Sequence, residues 1–508
     1  MPAVARMTPP NIGVRMDRRR FLLASSAATL LGVSGSRFAA ATTAPAIAPT
    51  IDRPRPTPQQ LRWQREELAM FVHLTVNTFT GKEWGDGTES PAIFNPRKLD
   101  TRQWARAAKQ AGFRSMILTA KHHDGFCLWP TTTTAHSVKN SPWKNGNGDV
   151  AREFVDACHA ERLGAGFYLS PWDRNAKSYG SGKPYDDFYI AQLTELLTDY
   201  GKVVEVWFDG ANGEGPTGRR QAYDWPRIHG TVRRLQPDAV IFSDAGPDVR
   251  WVGDERGTAG TTCWSSVDPA RVPYPGYDRP WVGELLDHGD PYGSAWRPAE
   301  SDVSIRPGWF WHADENGQVR TPDNLLDLYF TSVGRNSKLL LNVPPNRDGL
   351  FERADIDALH GFAAQRSRLF ADNLLRGATV RASTSAAGHM PSHVLDDDAD
   401  SYWSATEPAR DGWLELELPN EIEFDTIELQ EAIAHGQTIA SYRIDRWTDG
   451  AWKPLSWGTT IGHKKLERLD PMRTRKLRLM LEYGYGVPKL VKVAVYRGPD
   501  RNYGPGHA

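Results

Sequence analysis

Residues 101–126 read TRQWARAAKQAGFRSMILTAKHHDGF and contain one structural repeat from end to end. The first half has the spacing of an amphipathic helix, with Thr101 as the expected N-cap and Gly112 as its terminator. The apolar run SMILTA (115–120) then reads as a buried strand. It ends on Lys121, His122, His123 and Asp124, four polar side chains in a row. A strand that only needs to stop can end on Gly, Asn or Pro, so this ending points to a site.

The same design recurs along the chain. Strand-like runs are MFVHLTV (70–76), GAGFYLS (164–170), VVEVWFDG (203–210), AVIFSDA (239–245) and KLLLNV (338–343). Helical stretches such as DVAREFVDACHAERLG, DDFYIAQLTELLTDYG and ADIDALHGFAAQRSRLF lie between or after them. Buried strands alternating with amphipathic helices predict an α/β fold, a (β/α)8-type barrel, over residues 59–372. An open, doubly wound sheet is the alternative, but no Gly-rich phosphate loop follows the first strand.

Past residue 373 the helical period disappears. GWLELEL, FDTIELQEA, ASYRIDRW, RKLRLMLEY and VKVAVYR alternate with period two, which predicts an all-β sandwich over 373–500 and a tail over 501–508. The order of its elements, with VLDDDADSYWSA ahead of WLELELP, resembles the discoidin-like, coagulation-factor type C modules, which serve as carbohydrate-binding modules. The Asp-rich turn 396–400 could offer oxygen ligands to Ca²⁺, but reads first as a solvated turn.

A length of 508 residues suits two or three domains, and 40% hydrophobic residues with a net charge of −1 describe a globular chain with no global field toward nucleic acid or anionic membrane. The 19 Trp suit core packing and sugar stacking alike. Cys127, Cys158 and Cys263 lack metal-site spacing and allow one disulfide at most. Near the N-terminus, Arg19 and Arg20 precede FLLASSAATLL and a small-residue stretch, which predicts a twin-arginine-type signal over 1–44, then a Pro-rich linker over 45–58. A periplasmic or secreted bacterial protein is expected, with no membrane contact once the signal is cut.

In a barrel the functional side chains stand at the C-terminal strand ends. Those ends carry His73, His122, His123, Tyr168, Trp207 and Asp209, and Glu255 follows in DAGPDVRWVGDERG. Carboxylates among imidazoles and indoles suggest glycoside hydrolysis. The segments FVHL, KEWGDG, AKHHDGFCLW, FYLSPWD and VWFDG, in this order, closely resemble the family 29 glycoside hydrolases, the alpha-L-fucosidases. The resemblance spans about residues 60–370.

It implies a retaining mechanism with Asp209 as nucleophile. Fucose contacts would come from His73, Glu83, Trp84, His122, His123, Tyr168 and Trp207, and no cofactor or metal is called for. Glu255 in WVGDERG is the implied acid/base, with Glu300 in RPAESDVSIRPGWFW as runner-up. Arg306 and Trp309 of that second segment are further candidates for glycan contact. Both segments resemble the subgroup specific for α-1,3/1,4-linked fucose, which implies a terminal fucose on a branched, Lewis-type glycan as substrate. A broader-specificity alpha-L-fucosidase and a catalytically dead carbohydrate-binding barrel are the alternatives.

Overall fold

The computed structural model describes residues 53–498; the expected signal (1–44), most of the linker and the tail (501–508) lie outside the described residues. Eight parallel strands close into a barrel: β1 (Leu68–Val72), β2 (Ser115–Lys121), β3 (Gly164–Leu169), β4 (Glu205–Trp207), β5 (Val240–Ser243), β6 (Val249–Trp251), β7 (Ala299–Ser304) and β8 (Ser337–Asn342). Each pairs with its sequence neighbours, and β8 pairs with β1. Every residue of β1, β2 and β8 is buried, as expected of strands covered on both faces.

Two barrel strands escape the pattern reading. β6 is only three residues long and follows β5 across residues 244–248, with no helix between them. β7 carries Glu300, Asp302 and Ser304, so it shows no apolar run. The first helix of the quoted stretch spans Thr101–Gln110, but its N-cap is Asp100, whose carboxylate accepts from Gln103 N at 3.0 Å. Thr101 Oγ1 is instead committed to Glu153 O at 2.8 Å, across to the next helix. β1 also stops earlier than its sequence suggests, because Thr75 caps a one-turn helix, Val76–Thr80.

The barrel interior is filled by Phe71, Tyr168, Trp207, Phe242 and Leu340. Trp207 and Phe242 stack with centroids 4.1 Å apart. Toward the N-terminal end lies a buried polar layer. There Glu205 accepts from Trp63 Nε1 at 2.9 Å and Glu300 from Trp207 Nε1 at 3.1 Å. Lys338 bonds Glu66 at 2.8 Å and supplies the charge that tempers both acids.

The second domain is a seven-stranded antiparallel sheet from Thr379 to Tyr496. The runs GWLELEL and FDTIELQEA are one strand, Gly412–Glu431, paired along its length with Lys465–Gly484. Register shifts along this pairing bend such long strands, which lets them wrap a core of Trp403, Leu414, Phe424, Ile427, Tyr442 and Leu479. The arrangement is that of a discoidin-like sandwich.

The sandwich packs against the N-terminal end of the barrel. Gln437 is fully buried there, accepting from Ser265 N at 2.8 Å and donating to Cys263 O at 3.1 Å. Burial alone would raise the Glu67 carboxyl, but Lys464, 2.6 Å away, and His463 overcome it and hold the group well below the usual carboxylate range. The Asp-rich turn meets Arg65, Arg376 and Lys492 through Asp397 and Asp400. Among the described residues no cluster of His, Cys, Asp and Glu could hold a metal ion, and no helix is long and apolar enough to cross a membrane. All three cysteines are free and buried.

Candidate active site

The four residues that end β2 divide their work. Lys121 is fully buried and pairs with Asp173 at 2.9 Å, fixing the loop after β3. Asp124 is also fully buried and accepts from Thr75 Oγ1 at 2.9 Å and Phe126 N at 2.7 Å, holding the turn; burial pushes it up to about 7. The two histidines between them face the top of the barrel, where they meet His73.

The hydrogen bonds fix how each imidazole is presented. Ser170 Oγ donates to Trp172 O at 2.7 Å, so it accepts from His123 Nδ1–H at 2.7 Å and leaves Nε2 as an acceptor. Asn342 Nδ2 donates to Trp309 O and to Ser304 Oγ, both at 2.9 Å, so its Oδ1 takes the proton of His73 Nδ1 at 2.8 Å. His73 Nε2 is therefore a second acceptor. Asn77 Nδ2 donates to Glu83 O at 3.2 Å and faces His122 Nδ1 at 3.5 Å, which leaves His122 Nε2–H as a donor. Burial keeps all three rings neutral: His73 is pushed down to about 3, His122 well below its ordinary value, and His123 is lowered despite the nearby Asp209. One donor and two acceptors suit vicinal sugar hydroxyls.

Asp209 stands two residues beyond β4. Its Oδ1 accepts from Ala211 N at 2.7 Å, and its Oδ2 accepts from Tyr168 Oη at 3.0 Å. His123 Nε2 lies 3.8 Å from the same oxygen. Burial and Asp209 itself raise the Tyr168 phenol well above its usual value, so it stays a donor. A cleft of about 460 Å³ opens beside Asp209, lined by Trp207, Trp251, Glu255, Tyr277 and Asp302 among others. Glu255 accepts from Trp309 Nε1 at 3.2 Å. Burial raises its carboxyl above the ordinary range and Asp209 adds to that, while the indole bond opposes it.

The remaining sequence candidates separate clearly. Trp84 is 59% exposed and sits on the rim, edge-on to His123 and Trp172. Glu83 joins the site through protein groups: its carboxylate accepts from Trp309 N and His312 Nε2, both at 2.7 Å. Glu300 is fully buried with Trp207 bonded to its carboxyl, beneath the cleft. Arg306, expected at the glycan, lies elsewhere. Its guanidinium is fully buried and bonded to Asp355 at 3.0 Å and to Asn316 at 2.9 Å. An arginine beside a buried aspartate satisfies that charge first.

Asn342, Trp251 and Asp302 went unread in the sequence. Asn342 carried the usable signal, a polar residue closing the apolar run KLLLN.

A parallel eight-stranded barrel whose C-terminal end gathers carboxyls, imidazoles and indoles around one cleft defines a glycoside hydrolase. Residues 53–365 match the alpha-L-fucosidase family and residues 379–491 the F5/8 type C domain. The chain belongs to the alpha-L-fucosidases of glycoside hydrolase family 29, followed by a discoidin-like domain. It is 44% identical over 461 residues to alpha-L-fucosidase 1 of Arabidopsis thaliana, covering 88% of this chain and 89% of that one. A Ruminococcus gnavus GH29 fucosidase solved in complex with fucose superposes with a TM-score of 0.82 at 34% identity, covering 90% of this chain and 98% of that one.

Proposed function

We propose that the enzyme is a retaining exo-fucosidase in which Asp209 attacks the anomeric carbon and Glu255 exchanges the proton. The observation that carries this reading is the contrast between two carboxyls on one cleft. Asp209 accepts two hydrogen bonds, from Tyr168 and Ala211, which hold its carboxyl in place at the cleft. Glu255 is partly buried and raised, which favours the acid.

In the first step Asp209 Oδ forms a bond to C1 as the C1–O bond to the leaving group breaks, and the Glu255 proton passes to the departing oxygen. In the second, Glu255 takes a proton from water, the water oxygen bonds C1, and the ester to Asp209 opens. The neutral imidazoles of His73, His122 and His123 hold the fucose hydroxyls through both steps. The fucose-bound R. gnavus relative supports fucose as the sugar.

The linkage reading is α-1,3 and α-1,4 fucose on branched glycans, with slow action on α-1,2. It rests on the segments around Glu255 and Trp309 and on a cleft that extends past the carboxyls to Tyr277. Export through a twin-arginine route is supported by the Arg19–Arg20 pair.

Azide separates the two roles. Asp209→Ala abolishes turnover, and azide restores some with inverted fucosyl azide as product. Glu255→Ala keeps its first step on substrates with good leaving groups, and azide then gives the retained product. The opposite stereochemistry would exchange the assignments, and loss of activity in Glu300→Ala but not in Glu255→Ala would move the proton to Glu300.

A further inference from the structure

The strand AESDVS (299–304) turns Glu300, Asp302 and Ser304 toward the barrel interior by simple alternation. Glu300 is absorbed by the lower polar layer and Ser304 by Asn342. Asp302, one step above Glu300, lines the cleft together with Asp209 and Glu255. It is 4% exposed, and nothing in the two-carboxyl mechanism uses it.

We propose that Asp302 is a substrate-contacting carboxyl, present as the un-ionised acid, that donates its O–H to the fucosyl glycan beside Glu255. This rests on the reading of Asp209 and Glu255 given above. The geometry assigns the two oxygens. Trp251 Nε1–H fills Oδ1 at 2.7 Å, so Oδ1 is the acceptor and the proton sits on Oδ2. The charged groups that act on Asp302 are carboxyls: Glu255 from the loop after β6, then Asp209 from the loop after β4. Glu300 also feels its charge from below on the same strand, with Lys338 beyond it on β8.

An anion here would set a second negative charge beside Asp209, while Arg279, on the outer wall of the same cleft, donates to Asp278 O at 3.0 Å. Burial, reinforced by Glu255 and Asp209, raises it well above the aspartate range. The cleft thus carries its negative charge on Asp209, where the attack needs it.

The test compares Asp302→Asn with Asp302→Ala, each checked for an unchanged melting temperature. An amide keeps the acceptor for Trp251 and offers N–H in place of O–H. Asp302→Asn should lose no more than about fivefold in kcat/KM, and Asp302→Ala about 10- to 100-fold, mostly in KM. The alkaline limb of the pH profile should extend upward in Asp302→Asn. The infrared carbonyl band of a protonated carboxyl should be present in the wild type and absent from that variant.

Fucose affinity in the Asp209→Ala background, measured calorimetrically, should fall with Ala at 302 and hold with Asn, whatever the fate of the mechanistic reading. If both substitutions stay within about threefold of wild type, Asp302 contacts nothing and the proposal fails. It also fails if no carbonyl band is lost, or if azide rescues Asp302→Asn as it rescues Glu255→Ala. Turnover surviving in Asp209→Ala would instead overturn the Asp209 reading alone.

Discussion

Replacing Arg306 with Met separates a structural arginine from a glycan-binding one. Arg306 and Asp355 are both without exposed side-chain surface, and the guanidinium bonds Asp355 Oδ2 at 3.0 Å and 3.3 Å. Asp355 Oδ1 has no partner of its own. Deleting the cation therefore strands a buried carboxylate, which costs about 3–5 kcal/mol. The lost bond to Asn316 adds about 1 kcal/mol. Protonation of Asp355 limits the damage, because burial already raises this carboxyl and Arg306 is what opposes the rise.

The native pKa of Asp355 in Arg306→Met thus lies above that of the unfolded chain. The destabilisation is small below the ordinary aspartate range and grows as pH rises through it. Urea unfolding of wild type and Arg306→Met at several pH values measures this directly. The double variant with Asp355→Leu should recover much of the loss. Steady-state kinetics on the folded variant should show KM within about threefold of wild type. Unchanged unfolding with a tenfold rise in KM would refute the reasoning and return Arg306 to the glycan.

Three other outcomes follow from the site. The buried imidazoles have native pKa values below that of the unfolded chain, so stability falls as pH drops below about 6.5, by up to about 1.4 kcal/mol per pH unit for each; His73→Gln should flatten the melting temperature between pH 6.5 and 5. A Cβ on Gly308 would stand 2.5 Å from Glu83 Oε1, so Gly308→Ala should dislodge the carboxylate that holds Trp309 and His312 and cut kcat/KM about tenfold, seen in initial rates with little change in melting temperature. Cutting the chain after residue 372 removes Lys464 from the buried Glu67, and the isolated barrel should melt lower and aggregate on heating, as light scattering would record.

The sequence was legible where side-chain pattern and burial agree. SMILTA and KLLLN are buried on both faces and read as strands at sight. AESDVS did not, because a barrel interior can accept acids when Lys338 and the Trp207 and Trp251 indoles answer them, and an acidic strand looks solvated on paper. The same blindness hid Asp302 and placed Arg306 at the glycan rather than on the buried Asp355. The histidine pair was legible as a site through family resemblance. That His122 donates while His73 and His123 accept needed Asn77, Asn342 and Ser170, which stand far apart in the chain.

Between β6 and β7 the chain makes its longest departure from the barrel, and a two-residue ladder, Ser266–Val267 with Ala295–Trp296, clasps the base of that departure. Tyr277 to Gly283, the outer wall of the cleft, belong to this clasped loop, and Asp244 pins it at Gly276 N at 2.8 Å. The hydrolytic carboxylate and the imidazoles are carried by other strands. This wall of the cleft is therefore a cassette with its own neck, which could be exchanged while the strands that carry Asp209 and the imidazoles stay a constant chassis.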